Sequence, residues 1–457
     1  MARGKKKESV LTPEEKLAQA LVPVEEQPYK VPENWCWTRI ANLCSLSNGK
    51  AFKPTDWGEV GLPIVRIQNL NNPNAEYNLF SGIVEEKFRL RGNELLFAWS
   101  GTPGTSFGAH IWWGKEAVLN QHIFRVDFDE THINKIFFKY AINQQLDMLI
   151  SVAHGGAGLQ HVTKGVFEAT PIPLPPLAEQ KRIVDRIEYL FAKLDEAKEK
   201  AQSVLDSFET RKAAILHKAF TGKLTVQWRA EHGVNLDGWQ QTTIGKESLL
   251  ITKGASPRWQ GITYTDDKSQ TLFVTSENVR DGYLDLTKEK YLDNRINEIQ
   301  RRSVLQKGDV LVNIVGASIG RAAIFDLECL ANTNQAVCLI RLKGSVVNRF
   351  LCYYLNSPVA LTYYGENKVE TARANISLTN ISDMGIALPS IAEQHEIIRI
   401  LDSLFAKEQQ AKEAAEAVLE KIDLLKKSIL ARAFRGELGT NDPTEESALE
   451  LLREIIG

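Results

Sequence analysis

Two stretches of this chain repeat one another in sequence, and they indicate its architecture. Residues 177–224 read LAEQKRIVDRIEYLFAKLDEAKEKAQSVLDSFETRKAAILHKAFTGKL, and residues 391–438 read IAEQHEIIRILDSLFAKEQQAKEAAEAVLEKIDLLKKSILARAFRGEL. They align without a gap at an offset of 214 residues, and 21 of the 48 positions are identical. Self-similarity of this extent indicates a duplicated structural unit.

Both copies space their apolar residues in alternating steps of three and four, which predicts a long helix with the a/d seam of a coiled coil. An ordinary buried helix face would give a similar pattern. We favour pairing of the two helices within the chain, antiparallel, because a folded spacer between them can return the chain. The predicted seam residues are Ile183, Ile187, Leu190, Leu194, Ala197, Ala201, Val204 and Phe208 in the first copy, and Ile397, Leu401, Leu404, Ala411, Ala415, Val418, Ile422, Leu425 and Ile429 in the second, with Glu408 as a polar exception.

Weaker matches extend the repeat upstream, so that each unit is a globular head followed by a helix. Leu119-Asn120-Gln121 matches Thr333-Asn334-Gln335, and short β-branched or aromatic runs punctuated by Gly, Asn and Pro predict a mixed α/β head. The expected organisation is an N-terminal extension (1–30), a first head (31–174), a first helix (175–224), a linker (225–238), a second head (239–388), a second helix (389–438) and a C-terminal tail (439–457).

Composition excludes several classes of protein. The net charge is −2 over 457 residues, so any contact with nucleic acid must use local patches. The five cysteines form no C-x-x-C pair, and their odd number fits a reducing cytoplasm. No apolar run approaches the roughly 20 residues that cross a bilayer, and no secretory signal is present. We expect a cytoplasmic protein without contact to a membrane.

No motif in the sequence indicates catalysis. A methyltransferase would need a Gly-rich cofactor turn and, for amino groups, an Asp/Asn-Pro-Pro-aromatic loop, and neither string occurs. The glycine clusters lack the P-loop spacing, the histidines lack metal-ligand spacing, and no Gly-x-Ser-x-Gly elbow is present. We expect a non-catalytic chain that holds no metal and no cofactor of its own.

Several loops of the heads mix Lys or Arg with Asn, Gln, Ser, Thr or Gly, the residue types that reach base edges and phosphates. Solvated loops and tight turns have the same composition, so this alternative stays open for each residue. We expect Ser276, Glu277 and Asn278 of the second head to match Arg66, Gln68 and Asn69 of the first. The candidate DNA-binding residues are Lys50, Lys53, Arg66, Gln68, Asn69, Thr102, Thr105, His154, Lys164, Lys253, Arg258, Ser276, Asn278, Arg280, Ser318, Arg321, Arg373 and Asn375.

The whole arrangement resembles the DNA-specificity subunit of type I restriction-modification enzymes. Pro175-Pro-Leu-Ala-Glu-Gln-Lys-Arg-Ile183 and Pro389-Ser-Ile-Ala-Glu-Gln-His-Glu-Ile397 carry the resemblance most strongly, together with the Ala-Phe-x-Gly-x-Leu ending of both helices. The resemblance implies two target-recognition domains, each of which reads one half of a split sequence, and an antiparallel coiled coil between them.

The resemblance also implies partners. Specificity subunits of this family bind double-stranded DNA, two methyltransferase subunits that carry S-adenosylmethionine, and restriction subunits that use ATP and Mg. By the same analogy the helices and the Ala-Glu-Gln segments dock the methyltransferase, which makes Ala178, Glu179, Gln180, Ala392, Glu393 and Gln394 candidate partner-binding residues.

Two other functions are compatible with parts of the sequence. A coiled-coil scaffold could present two heads that bind protein or glycan surfaces, and it would not show the steep salt dependence that phosphate contacts impose on DNA binding. A self-contained methyltransferase would bind S-adenosylmethionine as an isolated chain. The residues do not specify which bases are read.

Overall fold

The structure is a computed structural model of the chain, and it describes residues 11–72, 74–101, 107–156, 159–369 and 374–457, with the backbone alone for 154–156 and 159–160. The chain forms two compact units, Met1–Glu199 with Val418–Gly457 and Lys200–Ala417. Each unit contains one head and a part of both long helices. Within the described ranges, no helix combines the length and the apolar character needed to span a bilayer.

The first head is built on antiparallel sheets and one mixed sheet. Its strands pair in the orders β2-β10-β6-β8, β4-β3-β9-β5, β11-β12-β7 and β1-β13. The elements are α1 (Pro13–Ala20), β1 (Cys36–Arg39), α2 (Ile40–Leu43), β2 (Ser45–Asn48), β3 (Leu62–Val65), α3 (Ile67–Asn71), β4 (Leu79–Phe80), β5 (Arg89–Leu90), β6 (Glu94–Ala98), β7 (Ser100–Gly101), β8 (Gly108–Trp112), β9 (Ala117–Leu119), β10 (Ile123–Asp127), α4 (Lys135–Gln144), α5 (Leu146–Ser151), β11 (His154–Gly156), β12 (Leu159–His161), α6 (Lys164–Ala169) and β13 (Pro171–Leu174).

The long helices and the second head follow the first head along the chain. The remaining elements are α7 (Leu177–Asp206), α8 (Phe208–Phe220), α9 (Val226–Glu231), β14 (Gln240–Thr243), α10 (Ile244–Glu247), β15 (Ser248–Lys253), β16 (Tyr264–Thr265), β17 (Thr271–Val274), β18 (Tyr291–Leu292), α11 (Ile296–Ile299), β19 (Val310–Asn313), β20 (Ala322–Ile324), β21 (Ala331–Thr333), β22 (Val337–Leu342), α12 (Asn348–Leu355), α13 (Pro358–Asn367), α14 (Leu378–Asp383), β23 (Gly385–Leu388), α15 (Ile391–Phe434) and α16 (Ala448–Ile456). The second head pairs its strands in the orders β15-β22-β19-β20, β16-β18-β17-β21 and β14-β23.

The two heads share one four-stranded sheet and the parallel strand pair of another, which confirms the mixed α/β class and the internal repeat. The sheet β2-β10-β6-β8 has its counterpart in β15-β22-β19-β20, and the parallel pair of β3 with β9 has its counterpart in β17 with β21. A half-buried asparagine that bonds the backbone of a neighbouring strand is also repeated. The Asn143 side chain bonds the backbone N–H and C=O of Ala109 at 2.7 and 3.0 Å, and Asn356 does the same to Ala322 at 3.0 and 2.8 Å.

The long helices run antiparallel where they pair. In the second unit the Lys412 Nζ lies 5.2 Å from the centre of the Phe208 ring, and one turn further along Arg211 Nε donates to Glu408 Oε2 at 2.8 Å. The residue numbers rise on one helix and fall on the other, which defines the antiparallel direction. In the first unit Lys426 Nζ bonds Asp195 Oδ1 at 2.6 Å.

Burial confirms the predicted seam in the first helix and corrects it in the second. Each predicted seam position from Ile183 to Phe208 is buried or half-buried. In α15, however, Ala411, Val418 and Leu425 are exposed, and the half-buried positions are one residue later, at Lys412, Leu419 and Lys426. In two of these pairs the prediction took the apolar residue in place of the neighbouring lysine, whereas Val418 and Leu419 are both apolar. The structure instead buries the stems of the two lysines, which lie over Phe208 and Phe191.

The first helix is not continuous. It is interrupted between α7 and α8 at Ser207, whose hydroxyl donates to the Ser203 carbonyl at 2.5 Å. Arg211 Nη2 donates to the Val204 carbonyl at 3.2 Å in the same turn. Side chains that bond the carbonyls of the preceding turn compete with the helix ladder and bend it, whereas α15 runs unbroken from Ile391 to Phe434.

The terminal segments complete the first unit. The N-terminal extension contains α1, which is capped by Thr12 and Glu15. The segment 439–457, expected to be a tail, contains α16, and its Ala448 and Leu452 are fully buried in the core of the first head. Trp35 Nε1 donates to Asn441 Oδ1 at 3.1 Å. The C-terminal residues are therefore part of the fold.

Candidate nucleic-acid interface

Strand ends from the two four-stranded sheets of the first head meet at one edge. The backbone N–H of Gly49, just after β2, donates to the Ile123 carbonyl at 3.2 Å, and that of Asn120, after β9, donates to the Val65 carbonyl at 3.1 Å. The backbone N–H of Trp99, after β6, donates to the His122 carbonyl at 3.3 Å. We call this edge, formed by residues 48–50, 66, 99, 120–122 and 161, the first strand-end face.

The cations of this face are held against aromatic rings. Lys50 Nζ lies 4.8 Å from the centre of the Phe80 ring. The Arg66 guanidinium lies 5.7 Å from the Trp57 ring, and its Nη1 donates to Asn78 Oδ1 at 3.0 Å. A cation positioned in this way keeps donors free while its stem is packed, which suits a contact to phosphates or base edges.

Two histidines flank Trp99 at the centre of the face. The ring centres of His122 and His161 lie 5.4 and 5.8 Å from that of Trp99, and Trp99 Nε1 donates to Asn48 Oδ1 at 3.4 Å. Nδ1 of each histidine is buried without a hydrogen-bond partner among the described residues. Neither histidine was a candidate from the sequence, although the offset of 214 aligns His161 with the candidate Asn375.

Burial and neighbouring positive charge act on the histidines of this head. The pKa of His122 lies below its ordinary 6.5 because the ring is desolvated and faces His161 and Arg66. Burial, with Lys139 nearby, also lowers the pKa of His110. Both rings are therefore neutral at neutral pH.

These pKa shifts predict acid sensitivity of the first unit. Below pH 6.5 these histidines bind protons in the unfolded chain, whereas His110 and His122 of the folded chain stay neutral to lower pH. The free energy of unfolding therefore falls as the pH decreases through 6.5, and the stability is fully present above that pH. The urea midpoint of wild type should fall more between about pH 7.5 and about pH 5.5 than that of the His110→Gln, His122→Gln double variant. Equal decreases in the two proteins would show that these rings do not control the acid sensitivity.

The second head repeats the face with different side chains. The Gly254 N–H donates to the Asn334 carbonyl at 3.2 Å, Asn313 Nδ2 donates to the Ser276 carbonyl at 3.0 Å, and Val315 forms a bridge with Asn375. These residues close the ends of β15, β17, β19 and β21. The second strand-end face comprises residues 253–254, 275–276, 313–315, 334–336 and 375.

Several predicted cations belong to this edge or to the loops beside it. Lys253 and Arg258 are exposed and form no ion pair or side-chain hydrogen bond with any residue that the structure describes. Arg280 Nη2 pairs with Asp285 Oδ2 at 3.3 Å, and Arg321 Nε lies 3.9 Å from Asp281 Oδ1. Lys253 and Arg258 are thus the cations best placed to receive a phosphate.

A glycine lets the two sheets meet in each head. A Cβ on Gly254 would overlap the carbonyl oxygen of Thr333, at the end of β21. In the first head a Cβ on Gly49 would overlap the carbonyl oxygens of Asn120 and Leu119. No other residue type allows the loop that bears Lys50 or Lys253 to approach the neighbouring strand so closely.

Two predicted base-reading residues are instead internal caps. Asn69 is 4% exposed, and its Oδ1 accepts the Arg66 N–H at 3.0 Å. Asn278 is 3% exposed, and its Oδ1 accepts the Thr275 N–H at 2.9 Å. The prediction of DNA contact is wrong for both side chains because their polar atoms are used within the loop. The same geometry makes Thr275, rather than Ser276, the counterpart of Arg66.

The other candidates occupy varied positions. Lys53 begins a 3-10 turn through its backbone, Gln68 and Lys164 are exposed near the first face, and Ser318 is half-buried beside Arg321. The structure describes only the backbone of His154, which pairs with His161 in β11 and β12. Thr102, Thr105 and Arg373 lie outside the described residues.

The Glu and Gln side chains of the two Ala-Glu-Gln segments are buried at the starts of the long helices. In the second, Glu393 Oε1 accepts from Thr225 Oγ1 and from Arg229 Nη1, both at 2.7 Å, and its Oε2 accepts from Trp239 Nε1 at 3.1 Å. Gln394 Oε1 accepts the Val347 N–H at 2.8 Å. This copy joins the start of α15 to the segment that follows α8.

The first copy uses a related network. Glu179 Oε1 accepts from Thr440 Oγ1 at 2.7 Å, its Oε2 accepts from Arg182 at 2.9 Å, and Gln180 Oε1 accepts the Asn134 N–H at 2.8 Å. Burial raises the pKa of Glu179, while Thr440 and Arg182 act in the opposite direction. The pKa of Arg182 is raised chiefly by its hydrogen bonds to Glu445.

These contacts correct the expected role of the segments. Glu179, Gln180, Glu393 and Gln394 are at most 3% exposed and bonded within their own unit, so their side chains are not available to a partner. Ala178 and Ala392 are exposed, and contact between them and a partner stays a prediction.

Comparison with known proteins finds similarity to one family over most of the chain. The family described as "Type I restriction modification DNA specificity domain" matches residues 32–205 and 267–421. The type I restriction enzyme EcoBI specificity subunit of Escherichia coli is 30% identical over 423 residues, 89% of this chain and 87% of the relative. The StySPI specificity subunit of Salmonella potsdam is 26% identical over 426 residues, 90% of each chain.

The fold is also that of a solved structure. The HsdS subunit from Thermoanaerobacter tengcongensis aligns with a TM-score of 0.65 at 20% identity, over 91% of this chain and 100% of that chain.

Proposed function

The chain belongs to the family of type I restriction-modification DNA specificity proteins, and from this membership we propose that each head reads one half of a split DNA sequence through its strand-end face. The chain is the non-catalytic specificity subunit of such a complex, which recognises DNA and assembles with methylase and restriction subunits. The finer proposal adds two methyltransferase subunits per chain. This subunit directs their adenine methylation and the ATP-dependent DNA cleavage by the restriction subunits.

The repeated strand-end face carries this proposal. Both heads place a lysine and a glycine at the same strand end, beside the parallel pair of strands, yet the side chains around them differ: Arg66 against Thr275, and His161 against Asn375. A common scaffold with different polar side chains is what two readers of different sequences require.

The boundaries of the readers follow from strand pairing. Cys36 pairs with Leu174 and Gln240 pairs with Leu388, so each head begins and ends on adjacent strands. We propose 31–174 and 239–388 as the exchangeable domains. Because the N- and C-terminal ends of each domain are adjacent, a replacement need not disturb the long helices.

Exchange of one head tests the function. A chain whose residues 31–174 are replaced by those of a relative should, with its methyltransferase subunit, methylate a split motif in which one half is new and the other unchanged. Mapping of methylated adenines in DNA from cells that express both subunits measures this. A change in both halves, or an unsplit motif, would contradict the proposal.

The contribution of single cations can be measured by salt dependence. The logarithm of the binding constant of wild type should fall steeply with the logarithm of salt concentration, and Lys50→Ala should reduce this slope by about 1. Lys181→Ala, at an exposed position on α7, is the control and should leave the slope unchanged. A wild-type slope near zero would favour a scaffold that binds protein or glycan.

A further inference from the structure

A tryptophan in the second head is exposed on a turn whose ends are fixed. The chain leaves β15 at Lys253 and forms a 3-10 turn over Pro257–Gln260. Trp259 in this turn is 80% exposed, although the indole is among the largest apolar side chains. An indole this exposed gains little from folding, and its position beside the second strand-end face makes it available for a contact with DNA.

The backbone of the turn is held at several points. The Ala255 N–H donates to Gln300 Oε1 at 2.8 Å, and the Ile262 N–H donates to the Pro257 carbonyl at 3.0 Å. Pro257 is buried, and Ile262 is 4% exposed in a small core with Phe273. The indole is therefore presented by an anchored loop rather than by a loose one, which lowers the entropic cost of a contact.

The first head carries a covered version of the same feature. After Lys50 a 3-10 turn over Pro54–Asp56 leads to Trp57. Trp57 is only 40% exposed, with the Arg66 guanidinium 5.7 Å from its ring. Trp259 has no such cover, since no Lys or Arg of the described residues lies over its ring, and Arg66 is replaced by Thr275.

We propose that Trp259 stacks on a base of the second half-site, while Lys253 and Arg258 bind the flanking phosphates. This rests on the function proposed above. Both cations are exposed and without partners among the described residues, and an aromatic ring on the same loop as unpaired cations is a combination with which proteins hold unstacked bases. Lysine is depleted in protein–protein interfaces, so the presence of Lys253 on this loop favours DNA over a protein partner.

The prediction concerns the complex of the chain with its methyltransferase subunit, on duplex DNA that contains the methylated motif. Trp259→Ala should weaken binding about 10-fold, which is about 1.4 kcal/mol, whereas Trp259→Phe should keep most of the affinity. With 2-aminopurine placed in turn along the second half-site, stacking on the indole should keep the fluorescence at one position low in the wild-type complex, and Trp259→Ala should raise the fluorescence at that position.

Trp113→Ala is the matched control. Trp113 is 73% exposed and directly follows β8. Trp112 pairs with Glu94 at the start of β6, whereas the first strand-end face lies after the end of β6, so Trp113 lies at the opposite end of the sheet. Its replacement should leave affinity and fluorescence unchanged.

The outcomes separate the two levels of the proposal. If wild type binds the motif and Trp259→Ala binds equally well with the same fluorescence, the stacking role is wrong while the proposed function stands. If Trp259→Ala loses the methyltransferase subunit in size-exclusion chromatography, the tryptophan serves a protein interface and the inference is overturned. If wild type itself fails to prefer the motif, the proposed function fails first.

Discussion

Replacement of Glu393 by alanine should lower the free energy of unfolding of the second unit by about 3–5 kcal/mol. The carboxylate is 3% exposed and satisfies Thr225, Arg229 and Trp239 together. Its removal leaves the Arg229 guanidinium, whose side chain is 7% exposed, buried without a counter-charge. Urea denaturation of the full chain, followed by tryptophan fluorescence, measures the loss.

Two variants distinguish the lost charge pair from a general effect. The double variant Arg229→Met, Glu393→Leu should recover much of the stability, because a buried ion pair replaced as a whole by apolar side chains costs little. Glu396→Ala removes a surface pair with Arg399 on the next turn and should change stability by less than about 1 kcal/mol. Equal destabilisation by Glu393→Ala and Glu396→Ala would show that the buried network does not hold the unit together.

The Ala-Glu-Gln segments show where reading of the sequence was limited. The identity of the two copies correctly indicated an important position at the start of each long helix. The sequence did not reveal the partners of the carboxylates, Arg229 in one copy and Thr440 in the other, because they lie far from the segments along the chain. The family resemblance therefore implied a surface for partners, whereas the Glu and Gln side chains form contacts within their own unit.

The helices give a second measure of predictability. Periodicity was enough for the existence of both helices and for the seam of the first copy, but it did not predict the interruption of the first helix at Ser207. In the second copy apolar character favoured Ala411 over Lys412 and Leu425 over Lys426, and it did not distinguish Val418 from Leu419. The deciding factor is the partner helix, where Asp195 bonds Lys426 and Phe191 covers its stem.

The strand-end faces were predictable in part. The sequence selected loops that do lie on these edges, through Lys50, Arg66, Lys253 and Asn375. It also selected Asn278, whose side chain is buried, since a loop asparagine that caps its own backbone has the same composition as one that reads a base. It missed His122, because a single histidine carries no pattern until the fold places it beside Trp99.

The second large effect is expected at the glycines that join the sheets. Gly254→Ala should destabilise the second head by about 1–3 kcal/mol, because the new Cβ meets a backbone carbonyl that cannot rotate away. It should also displace Lys253 and the loop that follows it. Since a displacement of about 1 Å can cost about 100-fold in a reaction that depends on positioning, methylation of the motif should fall by about that factor.

The matched variants make this effect specific to each head. Gly49→Ala should damage the first head in the same way, because its Cβ would overlap the Asn120 carbonyl, and the two variants should weaken preference for different halves of the motif. Gly365→Ala and Gly165→Ala place a methyl group in open space on helices, so they should be neutral or slightly stabilising. Binding to motifs altered in one half at a time measures the preference. If Gly49→Ala and Gly254→Ala weaken both halves alike, the two faces are not independent readers, and the repeat serves the architecture of the chain rather than its specificity.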